Sequence, residues 1–174
     1  MPNIIGVLLG VAFSLPILSA GGQSLGGVRI AVGPHLLQTS GWSGSISYEF
    51  RRPGKLYTYR LNLIAAQRRG TELGDLDRLA IVGGDFSTVL YILRSGKFRP
   101  FLETAVGGFI QSPRFRPESG LSMGSKSAVS WGAGVGVDVV AGRRSVGVDL
   151  RLVGLSDQSY SNDPWLAARV VVHR

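Results

Sequence analysis

The sequence contains no cysteine, which excludes disulfide bridges and thiolate metal centres. Charged residues make up only 17% of the chain, against about 25% in an average soluble domain. Beyond the N-terminus no apolar run is long enough to form a membrane-crossing helix. Only two histidines are present, His35 and His173, without the clustered partners a zinc site requires. The first 22 residues carry no charged side chain at all. A chain this poor in charge, with a mean hydropathy of +0.19 and no long apolar helix, must place its apolar residues on strands with one buried or lipid-facing side.

What the sequence does have in quantity is glycine, 25 residues in 174, enough to weaken any helix. The length suits one domain. Residues 1–22 read as a secretory signal peptide: the apolar stretch Ile4–Leu18 runs into small residues, with cleavage expected between Ala20 and Gly22. Residues 23–174 then form the mature domain. Eight strand-like segments follow, at Gly27–Gln38, Trp42–Arg52, Lys55–Gln67, Leu79–Arg94, Lys97–Gln111, Ser127–Val140, Arg144–Leu155 and Pro164–His173.

Several of these alternate with period two. Trp42, Ile46, Tyr48 and Phe50 oppose Ser43, Ser45, Ser47 and Glu49, and Val146, Val148, Leu150 and Leu152 oppose Ser145, Gly147, Asp149 and Arg151. Val129, Trp131, Ala133, Val135, Val137 and Val139 likewise oppose a face of serine, glycine and Asp138. That is the period of a strand between two different environments. Leu79–Leu93 and Lys97–Gln111 alternate less cleanly, which suggests a bulge.

The connections themselves alternate in length. RRPGK (Arg51–Lys55), RSGK (Arg94–Lys97) and the turn ending in Arg143 and Arg144 are tight. Gln67–Arg78, Ser112–Lys126 and Ser156–Asp163 are long and polar, and only Thr39–Gly41 is short on that side. Short turns at one end and long loops at the other is the asymmetry of an outer-membrane barrel. An even number of strands then puts both termini at the short-turn end. Two aromatic belts are expected on this topology. One, near the loops, holds Trp42, Trp131 and Trp165; the other, near the turns, holds Phe50, Tyr57, Tyr59, Tyr91, Phe98 and Phe101.

The segments RPFLETAVGGFIQ (Arg99–Gln111) and WGAGVGVDVVAGRRSVGVDLRLV (Trp131–Val153) resemble the second half of the small OmpA-like and OmpX-like outer-membrane barrels. The resemblance covers roughly residues 27–174. It implies an all-β, eight-stranded, antiparallel up-and-down transmembrane barrel in the outer membrane of a Gram-negative bacterium. The aromatic residue on which such barrels commonly end is replaced here by Arg174 in VVVHR.

The polar faces turn Arg29, Glu49, Arg60, Asp85, Glu103, Asp138, Asp149, Arg151 and Arg169 inward. An eight-stranded barrel is barely wide enough inside for side chains, so these charges must pair and plug the lumen. Barrels of the resembled type include lipid A deacylases, which bring a histidine and a serine together on a strand. HLLQTS (His35–Ser40) contains both residues, but its spacing puts Ser40 in a loop, and no acidic residue lies close in sequence to orient the histidine. No catalytic, cofactor-binding or metal-binding residue is therefore assigned, and no cofactor.

The expected function is a non-enzymatic envelope protein acting structurally or through its loops. The alternatives are a small-solute, porin-like channel, and a soluble periplasmic lipocalin-like barrel with an apolar cavity. The face that carries the apolar side chains distinguishes the last from the others. Expected partners are outer-membrane lipid, lipopolysaccharide phosphates through Arg68, Arg69, Arg114, Arg116 and Lys126, and the outer-membrane assembly machinery. Nucleic acid is not expected, because the basic residues are scattered, and the protein is expected to be a monomer.

Overall fold

The computed structural model describes residues 26–36, 40–50, 55–69, 76–93, 96–115, 117, 120, 123–142, 144–156, 160 and 164–173; residues 1–22, expected from sequence to be a signal peptide, lie outside them. Eight strands follow one another: β1 (Gly26–Pro34), β2 (Ser40–Phe50), β3 (Tyr57–Arg69), β4 (Leu76–Tyr91), β5 (Phe98–Phe115), β6 (Lys126–Ala141), β7 (Arg144–Leu155) and β8 (Trp165–His173). Each pairs antiparallel with its sequence neighbours, and β1 pairs with β8 to close the barrel. Closure leaves no strand edge unpaired, which is what allows a sheet to sit in hydrocarbon.

The seam between β1 and β8 shows how local sequence shapes this closure. Arg29 to Val32 face His173 to Val170, and the pairing resumes where His35 bridges Ala167. Pro34 has no N–H to give the ladder in between. At Gly33 the strands approach so closely that a Cβ would lie 1.7 Å from the Ala168 carbonyl oxygen.

The two faces separate as the alternation requires. Val135, Val148, Leu150, Val170 and Val172 are exposed on the outer wall, with Val137 half-buried. Serines and charged residues line the inner wall. This is the reverse of a lipocalin-like barrel, whose apolar side chains would face inward.

Four expectations need correction. The long connections are shorter than the sequence suggests, because β3, β4 and β5 run on through Arg68–Arg69, Leu76–Arg78 and Ser112–Phe115. Ser40 is the first residue of β2 rather than a loop residue. The irregular pairing of β4 and β5 falls at Leu76/Arg78, not within the less cleanly alternating stretches. Those stretches alternate poorly because inward positions there are apolar: Leu79, Ile81 and Phe109 join Ile64, Ala66, Ala128, Val153, Leu155, Trp165 and Ala167 in a core inside the loop end of the barrel.

The aromatic belts are the fourth correction. Trp165, Tyr91 and Phe101 point into the lumen. Parity along each strand is the reason: Tyr91 is an even number of residues from inward Asp85, Phe101 from Glu103, and Trp165 from Arg169. Trp131, Tyr48, Phe50 and Phe98 remain exposed on the outer wall.

Val148 stands midway along β7 and is 55% exposed to the outside. Val148→Arg is expected to lower unfolding stability in lipid vesicles by about 2–4 kcal/mol, measured by urea titration. The same substitution in a detergent-free soluble barrel would cost little.

Candidate functional site

The densest chemistry lies inside the barrel. All nine charged residues expected there are buried, none more than 5% exposed, and every strand contributes at least one. Their side chains form one continuous chain of contacts. The Arg169 guanidinium forks onto Asp149, donating from Nε to Oδ1 at 2.7 Å and from Nη2 to Oδ2 at 3.0 Å. Asp149 also lies 3.7 Å from Arg29 Nη2. Arg29 Nη1 donates to both carboxylate oxygens of Asp138, at 2.9 and 2.7 Å.

The Tyr91 hydroxyl connects this half to the other. It stands 3.4 Å from Asp138 Oδ2 and 3.2 Å from Glu49 Oε2, and accepts a 3.0 Å hydrogen bond from Arg60 Nη2. Arg60 then donates from Nε to Glu49 at 2.8 Å and from Nη1 to Glu103 at 3.1 Å. Arg151 bridges Glu103 and Asp85. Asn62 ends the chain, donating to Asp85 at 2.6 Å and to Ser87 at 3.0 Å. Charge-assisted hydrogen bonds of this kind are short and strong, and each carboxylate is compensated by a guanidinium.

Phe101 is the apolar spacer of the network. The guanidinium carbons of Arg29 and Arg60 lie 5.0 and 4.9 Å from its ring centroid, within cation–π range. Opposite it stands Gly136, where a Cβ would come within 2.5 Å of the Phe101 ring. The glycine-rich inner face of β6 therefore makes room for this ring and for the arginines stacked on it.

Towards the loops the lumen changes character. A void of about 10 Å³, room for one water molecule, lies among Ser43, Ile64, Arg151, Val153, Trp165, Ala167 and Arg169. Above it Trp165 packs against Phe109 and His35, and Arg68 lies 5.8 Å from the indole centroid. Arg68, expected on the surface, is fully buried here. Arg68, His35, Trp165, Tyr91 and Asn62 were not singled out from sequence as lumen residues. Strand parity with Arg60 or Arg29 gives the signal for Arg68 and His35.

His35 and Ser40 are not hydrogen-bonded to each other, since neither ring nitrogen of His35 has a partner. His35 is buried against Trp165, whereas Ser40 is exposed and its hydroxyl donates to the Arg69 carbonyl at 3.2 Å. Among the described residues, no group of three or more His, Cys, Asp or Glu side chains is arranged to hold a metal ion.

Arg60 joins two carboxylates. Arg60→Ala would leave Glu49 and Glu103 short of a counter-charge in a closed interior and is expected to destabilise the barrel by about 3–5 kcal/mol. Urea unfolding in vesicles reads the loss. A double variant that also neutralises Glu49 by Glu49→Gln is expected to recover part of it.

No protein-family model matches the chain, and no curated protein does. Solved structures do. The chain superposes on Neisserial surface protein A with a TM-score of 0.66 at 14% identity, over 88% of this chain and 98% of that one. The outer membrane enzyme PagL gives 0.57 at 16% identity, over 84% and 97%. The N-terminal β-barrel domain of Pseudomonas aeruginosa OprF gives 0.56 at 13% identity, over 87% and 98%. An apolar outer wall, an ion-paired lumen and these superpositions together establish that the chain has the fold of the small eight-stranded outer-membrane β-barrels.

Proposed function

We propose that the protein is an integral outer-membrane barrel of a Gram-negative bacterium without enzymatic activity, serving envelope structure or surface interaction through the connections at its loop end. The observation that carries this reading is the inversion of the two faces: valines and leucines cover the outside while arginines and carboxylates neutralise one another inside. Such an arrangement is stable where the outer solvent is hydrocarbon and the interior is sealed. In this reading residues 1–22 are removed on export and residues 23–174 insert as a monomer with the help of the assembly machinery.

The likeness to PagL supports the fold and carries no catalytic residue with it. Here the acids of the lumen are all committed to guanidinium partners, His35 packs against Trp165, and the Ser40 hydroxyl donates to the Arg69 carbonyl. A small-solute channel finds little support in a lumen whose described void holds a single water.

Both termini are placed in the periplasm, and the β3–β4, β5–β6 and β7–β8 connections at the cell surface. Two measurements test this. The protein is expected in the outer-membrane fraction, with a gel mobility that changes on heating, as a folded barrel unfolds. Trypsin added to intact cells is expected to cut between β5 and β6, at Arg116, and to spare both termini; Arg68, buried in β3, is expected to resist. Cleavage that requires a permeabilised outer membrane would reverse the topology or make the protein periplasmic.

A further inference from the structure

Outside the lumen, charge is divided unevenly between the two ends of the barrel. The long connections and the strand ends they join carry six acidic residues, Glu72, Asp75, Asp77, Glu118, Asp157 and Asp163, against five basic ones, Arg69, Arg78, Arg114, Arg116 and Lys126. The loop end therefore carries no basic surplus. With Arg68 the lumen holds five arginines and five carboxylates. The three hairpins at the opposite end have no acidic residue. Lys55, Lys97 and Arg144 are exposed there, whereas Arg99 is half-buried on the inner face, opposite Asp138. Arg51, Arg52, Arg94 and Arg143 stand in the same connections in sequence, outside the described residues. The surplus behind the formal net charge of +8 thus belongs to the turn end.

These cations do not stand alone in water. Leu56 follows Lys55, Phe98 separates Lys97 from Arg99, and both apolar side chains are more than half exposed, as are Ile92 and Leu93 nearby. The basic residues therefore rim the edge of the apolar outer wall, at the level where lipid phosphates lie. A surface for a soluble polyanion would have no need of the apolar skirt.

We propose that the turn end of the barrel binds anionic phospholipid headgroups, with Lys55, Lys97 and Arg144 as the phosphate-facing residues. This rests on the outer-membrane reading above, which puts the turn end at the periplasmic leaflet. The three residues come from three separate hairpins, so they form a ring that selects a lipid class rather than a pocket that holds one molecule. Guanidinium groups match a phosphate with paired donors, and basic residues beside an anionic surface are attracted to it over about a Debye length, roughly 10 Å at 0.1 M salt.

The full mature chain, folded into phosphatidylcholine vesicles containing trace spin-labelled phosphatidylglycerol or phosphatidylcholine, tests the proposal. Wild type is expected to prefer phosphatidylglycerol at least about twofold at low salt and to lose the preference in 1 M salt. Lys55→Gln/Lys97→Gln/Arg144→Gln should bring the ratio to one. The pair Lys55→Gln/Arg144→Gln should lower it in part, even if the threefold variant folds poorly. Arg69→Gln/Arg114→Gln/Lys126→Gln, at the loop end, should leave it unchanged. Insertion without lipid preference, or a preference abolished by the loop-end variant, overturns this proposal and leaves the membrane reading standing. Failure to insert at all overturns both. Binding of soluble polyglutamate by the same three residues, without lipid preference, would replace the lipid with a soluble polyanion and overturn the assignment.

Discussion

The nine charges of the lumen network, enclosed in a barrel whose described void has room for a single water molecule, must neutralise one another, and the rest of the structure depends on that condition. Isolated burial of any one of them would be costly. The cost is offset by good geometry and hydrogen bonds, and the network from Arg169 through Tyr91 to Asn62 supplies them, leaving Arg29 Nη2 and Arg151 Nε without a hydrogen bond. Because the partners sit on different strands, the network also fixes register. Slipping one strand by a single residue would turn its charge out into lipid and a valine in towards an unpaired guanidinium. Ion pairing inside and apolar exposure outside are thus two consequences of one pairing scheme.

Much of this was legible in the sequence, because a strand's period of two is a strict rule. The eight strands and the nine inward charges follow from alternation. What was not legible follows from the same rule applied less far. Tyr91, Phe101 and Trp165 suggest an interfacial belt by residue type, but their parity with Asp85, Glu103 and Arg169 places them inside. Residue type misleads here because an aromatic ring serves equally well at a lipid interface and as a spacer between guanidiniums. The loop end misled for another reason. Its inward positions are apolar, so Leu79, Ile81 and Phe109 blur the alternation that marks the strands, and polar residues such as Arg68 suggest a loop that the structure continues as strand.

The lumen therefore has two layers with different roles. The ionic layer, from mid-barrel to the turns, sets partners and register. The apolar layer beneath the loops, with Trp165 against Phe109 and His35, seals the barrel from above. In the ionic layer each carboxylate is paired with a guanidinium, whereas in the apolar layer both ring nitrogens of His35 are buried without a hydrogen-bond partner.

The central claim is that the ion-paired interior closes the barrel. Planar-bilayer recording of the purified, folded protein tests it directly. A lumen filled by this network should give no steady single-channel current above the bare membrane. Large, long-lived unitary currents from the wild-type protein would contradict the account, because they require a continuous water path through the layer that Arg60, Glu103 and Arg151 occupy.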